Sequence, residues 1–196
     1  MKVISILVMA AGRSSRMGRP KLLLTYRGIS LIRHAVREAS QVSRDVVVVL
    51  GREPEAHRKE ISDLRAKILI NPDYAMGMST SLRLGIQHLS PDSQAVIITL
   101  ADQPLIGRAV FQSLMDAHVQ HPDRILCAAY PELPGNPVLF PNRYYEELTK
   151  VSGDVGGRPL LQKHREAVLL VPVAQSKLDI DIDTPEDYQN LLKRKI

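Results

Sequence analysis

Residues 10–21 gather four cations into one short loop. The stretch Ala10-Ala11-Gly12-Arg13-Ser14-Ser15-Arg16-Met17-Gly18-Arg19-Pro20-Lys21 holds two glycines, two serines, three arginines and one lysine. Small residues let backbone N–H groups approach a ligand closely, and positive side chains on the same loop call for an anion, most simply a polyphosphate. Two familiar phosphate motifs do not fit. A P-loop has its lysine directly after the second glycine, with four residues between the glycines. Here five residues separate Gly12 from Gly18, and Lys21 comes three after Gly18. The dinucleotide fingerprint G-x-G-x-x-G is absent as well.

The carboxylates complement this loop. Asp102 lies two residues beyond the apolar run Ala95–Leu100. Ligands of open parallel sheets bind outside the carboxyl ends of strands, so Asp102 and the basic loop belong at the same edge. Alone, an aspartate just ahead of a proline makes a turn; beside a phosphate loop it supplies a magnesium ligand. Asp179, Asp181 and Asp183 alternate, so a short strand over 178–182 would place all three on one face. Asp183 is the expected second magnesium ligand, with Asp181 the alternative. Gly77-Met78-Ser79-Thr80-Ser81 opens a helix in which Ser79 is the expected cap, and Gly77, Ser79 and Ser81 would face a base or phosphate. The pattern is not G-x-S-x-G, and the six histidines lack the H-E-x-x-H spacing of a zinc hydrolase. These groups together point to phosphoryl or nucleotidyl transfer. The loop holds a triphosphate, magnesium sits on carboxylates, and cations meet the charge at the α-phosphate. No protein nucleophile is evident, so the acceptor attacks in line.

Alternating strands and helices must position these groups. The apolar runs 3–9, 45–50, 67–70, 95–100 and 124–129 read as strands. Ser30 caps a helix over 31–40 with Leu31, Ile32, Ala35, Val36 and Ala39 inward, and further helices are expected over 53–65, after Ser79 and over 108–120. This is the pattern of a three-layer α/β/α sandwich with a mostly parallel sheet. The order then becomes irregular. A proline-rich loop precedes Val138-Leu139-Phe140, Asn142 begins a helix to Leu148, and a glycine-rich loop spans 152–157. A strand over 168–173 follows, and Thr184-Pro185-Glu186-Asp187 carries a cap, an N1 proline and two acids for a last helix to about Lys193. With 196 residues and no linker or repeat, one domain over 1–196 is expected.

Composition excludes several classes. Hydrophobic residues make up 44% and charged residues 24%, ordinary for a globular protein. No apolar run approaches the length of a membrane span, and the N-terminal run lacks a signal-peptide cleavage site. Cys127 is the one cysteine, so no intramolecular disulfide forms, which fits a cytoplasmic location; a buried inert thiol is expected. The net charge of +5 favours anionic ligands, but there is no tryptophan and no aromatic–basic run of the kind that stacks bases. Neither nucleic acid nor membrane is an expected partner.

Leu7, Ala11, Gly12, Ser14, Arg16, Met17, Gly18 and Lys21 fit the pattern L-x-x-A-G-x-S-x-R-M-G-x-x-K. This resembles the signature of nucleotidyltransferases related to the molybdenum-cofactor guanylyl- and cytidylyltransferases. Further segments resemble that family in order along the chain: Gly77–Leu82, Leu100–Pro104, Gly135–Phe140, Gly153–Gly157 with Leu160-Leu161, and Asp181–Asp187. The resemblance implies a Rossmann-like nucleotidyltransferase fold and transfer of a nucleoside monophosphate to a phosphorylated acceptor with release of pyrophosphate. It implies catalytic roles for Arg16 and Lys21. Nucleotide contacts fall on Ala10, Ala11, Gly12, Arg13, Ser14, Gly18, Gly77, Ser79, Ser81 and Asp102, and magnesium on Asp102 with Asp183 or Asp181. Acceptor contacts fall on Gly135, Asn136, Pro137, Asp154 and Gly156. Cytidylyl members tend to read A-A-G where guanylyl members read A-G-G, so Ala10-Ala11-Gly12 implies CTP. The acceptor is then molybdenum-molybdopterin, and the product is the cytosine dinucleotide cofactor of xanthine-dehydrogenase-type molybdoenzymes, one of which is an implied partner. Asn136 stands where some cytidylyl members have histidine, and Gly157 replaces the usual alanine. Competing readings are a nucleotidyltransferase using GTP or another nucleotide with a sugar or polyol phosphate, and a non-catalytic cofactor carrier.

Overall fold

The computed structural model describes residues 3–12, 17–131, 133–173 and 180–194. The elements in chain order are β1 (Val3–Ala10), β2 (Thr25–Tyr26), β3 (Ile29–Ser30), α1 (Leu31–Ser40), β4 (Val46–Leu50), α2 (Pro54–Glu60), β5 (Lys67–Ile70) and α3 (Met78–Gln87). They continue with β6 (Ser93–Leu100), α4 (Arg108–Gln120), β7 (Ile125–Tyr130), β8 (Leu133–Pro141), α5 (Tyr145–Lys150), α6 (Arg158–Lys163), β9 (Val168–Pro172) and α7 (Pro185–Lys193).

Seven strands form one sheet in the order β5-β4-β1-β6-β8-β7-β9. Every neighbouring pair is parallel except those made by β8, which runs antiparallel to β6 and β7. Strand β1 lies between β4 on one side and β6 on the other, so the strand order reverses there. Such a switch point opens a crevice at the carboxyl edge, where ligands bind.

The alternating side chains of the strands feed two cores, one on each face. Ile6, Val8, Val46, Val48, Ala95 and Ile97 face one way and are covered by α1 and α4 through Ile32, Val36, Phe111 and Leu114. Leu7, Met9, Val47, Val49, Val96 and Ile98 face the other, under Leu82, Leu148 and Leu160 of α3, α5 and α6. The result is the expected Rossmann-like α/β/α layering. Burial on both faces explains why these strands read as unbroken apolar runs in the sequence.

Helix α1 begins where Ser30 accepts the Arg33 N–H, as its cap position requires. Helix α7 begins with a capping box between Thr184 and Asp187. Four expectations are corrected. The helix over 53–65 is shorter, Pro54–Glu60. Gly77, not Ser79, is the N-cap of α3, and Ser79 sits within the first turn. Asn142 opens a 3-10 turn, and the α-helix starts at Tyr145. The described part of the 178–182 segment, Ile180–Ile182, is not a strand. It is anchored by burial of Ile182 and by its N–H on the Asp102 carbonyl; Leu178 and Asp179 lie outside the described residues. The two carboxylates that can be followed therefore diverge instead of sharing a strand face.

Candidate active site

The strand ends at the switch point bring the basic loop and the aspartates together. Ala10 closes β1, buried at the edge, and Gly12 beyond it is exposed. Lys21 opens a 3-10 turn over Lys21–Leu23. Ala101 donates its N–H to the Met9 carbonyl, so the chain leaving β6 is held beside the end of β1.

Lys21 is the centre of the constellation. Its Nζ lies 2.5 Å from Asp102 Oδ2 and 2.8 Å from Asp183 Oδ1. The three side chains are only 9%, 18% and 28% exposed in that order. Burial alone would pull the ammonium's pKa down, but the charges and hydrogen bonds of Asp102 and Asp183 outweigh it and hold the pKa above its ordinary value. Lys21 therefore stays cationic.

Asp181 turns away to Gln103, whose Nε2 donates to its Oδ1 at 2.9 Å. Burial, followed by the Asp102 charge, raises the Asp181 carboxyl to about 6, against the opposing Gln103 hydrogen bond. Gln103 is a member of the site that the sequence left unassigned, although it directly follows Asp102 in the quoted motif.

Asp102 and Asp183 fit a hard divalent cation. Asp102 Oδ1 is buried and has no hydrogen-bond partner among the described residues. Among those residues no group of three metal-ligating side chains converges. Two carboxylates suffice for magnesium when substrate phosphates and water complete its shell.

Other expected residues are distributed around this centre. Gly12 and Gly18 line a hollow of about 180 Å³ together with Arg19 and Arg52. Ser79 is buried and its N–H binds the Gly153 carbonyl; Ser81 Oγ accepts from Asn71 Nδ2 at 2.8 Å. Asn71 also donates to Thr80 Oγ1, so it fixes the start of α3. Gly77 has φ +116° and meets the backbone of Gly153, where a Cβ would lie 2.7 Å from its carbonyl oxygen. Asp154 Oδ1 accepts the Met78 N–H at 3.0 Å. Arg13, Ser14 and Arg16 lie outside the described residues.

Beside the charged centre opens a cleft of about 610 Å³. Its floor is Met9, Ile98, Leu100, Cys127, Val138 and Phe140, on one face of the sheet. Met78 and Leu82 of α3 form one wall; Arg158, Leu161 and Gln162 of α6, with Arg165, form the other. Gly135, Asn136 and Gly156 line it as well, whereas Pro137 is buried in β8 beside it. Cys127 Sγ is bonded to the Gly135 carbonyl at 3.2 Å, and burial pushes the thiol up to about 11 despite that bond, so it is an uncharged part of the floor.

Residues 6–168 match the model of the MobA-like NTP transferase domain. The chain belongs to that family. It is an enzyme of the nucleotidyltransferase type. Among curated proteins it is 25% identical to the molybdenum cofactor cytidylyltransferase of Escherichia coli strain K12, covering 96% of this chain and 95% of the relative. It is 31% identical to the nicotine blue oxidoreductase of Paenarthrobacter nicotinovorans, covering 94% of both. Among solved structures it resembles Rv0371c of Mycobacterium tuberculosis H37Rv, with a TM-score of 0.88 at 27% identity over 98% of this chain and 99% of that one. The manganese complex of Rv0371c matches with a TM-score of 0.84 at 26% identity over the same shares of the chains. Among the described residues of this transferase no helix is long and apolar enough to cross a membrane.

Proposed function

We propose that this transferase moves CMP from CTP to the phosphate of molybdenum-molybdopterin, releasing pyrophosphate and forming the cytosine dinucleotide cofactor. The observation that carries this reading is the Lys21 ammonium bracketed by Asp102 and Asp183 at the carboxyl edge beside Ala10–Gly12. The end-to-end likeness to a cytidylyltransferase supports the choice of reaction.

The backbone of Ala10, Ala11 and Gly12, with Arg13, Ser14 and Gly18, holds the nucleotide, and the Ala11 methyl narrows the base pocket toward a pyrimidine. Gly77, with Ser79 and Ser81 buried behind it, shapes the end of α3 that borders the base. Lys21 and Arg16 meet the negative charge at the α-phosphate, where fixed cations are worth most in a site shielded from water. An acceptor phosphate oxygen attacks the α-phosphorus. The bond from that phosphorus to the bridging oxygen breaks, and pyrophosphate leaves with the electron pair. Asp102 and Asp183, or Asp181, would hold magnesium, which supplies charge neutralisation on the triphosphate when bound. Gly135, Asn136, Pro137, Asp154 and Gly156 shape the acceptor side. In this reading the protein works in the cytoplasm and supplies a xanthine-dehydrogenase-type molybdoenzyme.

The test is pyrophosphate release with CTP, GTP, ATP and UTP, each with magnesium, with and without molybdenum cofactor. Release only with CTP and cofactor is the expected result. Release with GTP keeps the enzyme class and removes the role given to Ala11. Nucleotide binding without release under any of these conditions supports a carrier. A second reading is favoured by the 31% identity to an oxidoreductase: transfer of electrons from an added donor to an added acceptor held in the same cleft. It predicts oxidation of the donor matched by reduction of the acceptor without pyrophosphate release, and it leaves the buried Lys21–Asp102–Asp183 group without a task.

A further inference from the structure

The wall that α6 presents to the cleft is divided by charge. Arg158, Leu161 and Gln162 share one face of α6 at spacings of three and four and line the cleft, and Arg165, at the start of the 3-10 turn Arg165–Ala167 that follows, lines it too. The residues between them turn elsewhere. Lys163 pairs with Glu147 at 2.6 Å, and His164 Nε2 contacts the same carboxylate at 3.0 Å. Glu147 is thus occupied on the far side of α6. Arg158 and Arg165 have no ion-pair or hydrogen-bond partner among the described residues, and no carboxylate is among the residues lining the cleft. Two unpaired guanidiniums over a floor of Met9, Ile98, Leu100, Val138 and Phe140 suit a ligand with a flat apolar body and an anionic group. In the proposed transfer the attacking phosphate must reach the α-phosphate and so belongs at the Lys21 end, away from these two arginines.

We propose that Arg158 and Arg165 bind a second anionic group of the acceptor, distinct from the attacking phosphate, and so select the acceptor without selecting the nucleotide. This deepens the nucleotidyl-transfer reading and rests on it for the identity of the acceptor, but the anion site itself is testable without turnover. The chain contains no tryptophan, so Leu161→Trp places a single indole on the cleft wall. Energy transfer from that indole to bound 8-anilinonaphthalene-1-sulfonate locates the dye in the cleft. Its uncharged analogue, N-phenyl-1-naphthylamine, reports the apolar floor alone.

In Arg158→Gln/Arg165→Gln, the sulfonate dye should bind about tenfold more weakly, the scale of losing charge-assisted hydrogen bonds, while the neutral dye changes less than about twofold. With CTP and molybdenum-molybdopterin the same variant should raise KM for the acceptor about tenfold and leave KM for CTP and kcat in place. Equal loss of both dyes, no loss of the sulfonate dye, or no energy transfer from the indole overturns the proposal. An unchanged acceptor KM overturns it too. Failure of every nucleotide to release pyrophosphate overturns the transfer reading instead, and the dye titrations still decide the anion site.

Discussion

Around Lys21 the charges are sunk into the protein and locked to each other; around Arg158 they stand exposed above an apolar floor. The first region draws one residue each from the loop after β1, the loop after β6 and the entry to α7. Each partly buried charge there has its counter-charge within 2.8 Å. The second draws its shape from side chains that the sheet would bury anyway. Charges held in this way tolerate almost no substitution, because removing one leaves the others uncompensated. An apolar cleft with exposed arms degrades gradually, residue by residue. The charged end is therefore rigid by construction, and the apolar cleft, the acceptor end of the proposed reaction, is the more tolerant of change.

Four substitutions or treatments would break or sharpen that contrast. Asp102→Ala should lower pyrophosphate release by roughly a thousandfold with the fold retained by circular dichroism; near-normal rates at saturating magnesium would remove Asp102 from the chemistry. Lys21→Ala should cost roughly a hundredfold in kcat and also about 2 kcal/mol in urea unfolding, because Asp102 and Asp183 are left facing each other. A loss of stability with unchanged kcat would make the lysine a structural clamp. Gly157→Ala belongs to the other region. Its added methyl would lie 2.8 Å from the Phe140 ring, so a loss of about 1–2 kcal/mol and a higher acceptor KM are expected, with KM for CTP unchanged. An equal rise in both KM values would show that the two regions are not separable. Cys127 should give the smallest effect. With its thiol near 11 and buried, alkylation by iodoacetamide in the native protein should be slow at pH 8 and quicken toward pH 11, whereas unfolded protein reacts promptly at pH 8. Prompt labelling of the native form would mean that the cleft floor opens to solvent.

The layers were legible in the sequence because their causes are local. Four successive valines over 46–49 make a strand buried on both faces, and Ser30 and Thr184 announce helices through cap chemistry. Lys21, Asp102 and Asp183 were legible through motif order, and the structure brings them into contact. What could not be read was orientation. Alternation suggested that Asp181 and Asp183 would share a strand face, but the Asp102 carbonyl takes the Ile182 N–H and sends the two carboxylates to different partners. Ser79 resembled a cap until the backbone of Gly153 came within reach of α3 and accepted its N–H. The antiparallel course of β8 was equally hidden, since a strand's direction is set by its partners rather than by its residues. Gly157 is the clearest case: nothing near it in the sequence announces that a Cβ there would meet the Phe140 ring, seventeen positions earlier in the chain.

The bond between Lys21 and Asp183 joins positions 162 residues apart. A ribosome making this protein completes the basic loop 162 residues before it adds the second carboxylate. Until then a nascent chain carries a Lys21 that has no Asp183 to pair with, so the constellation cannot close before that residue is made.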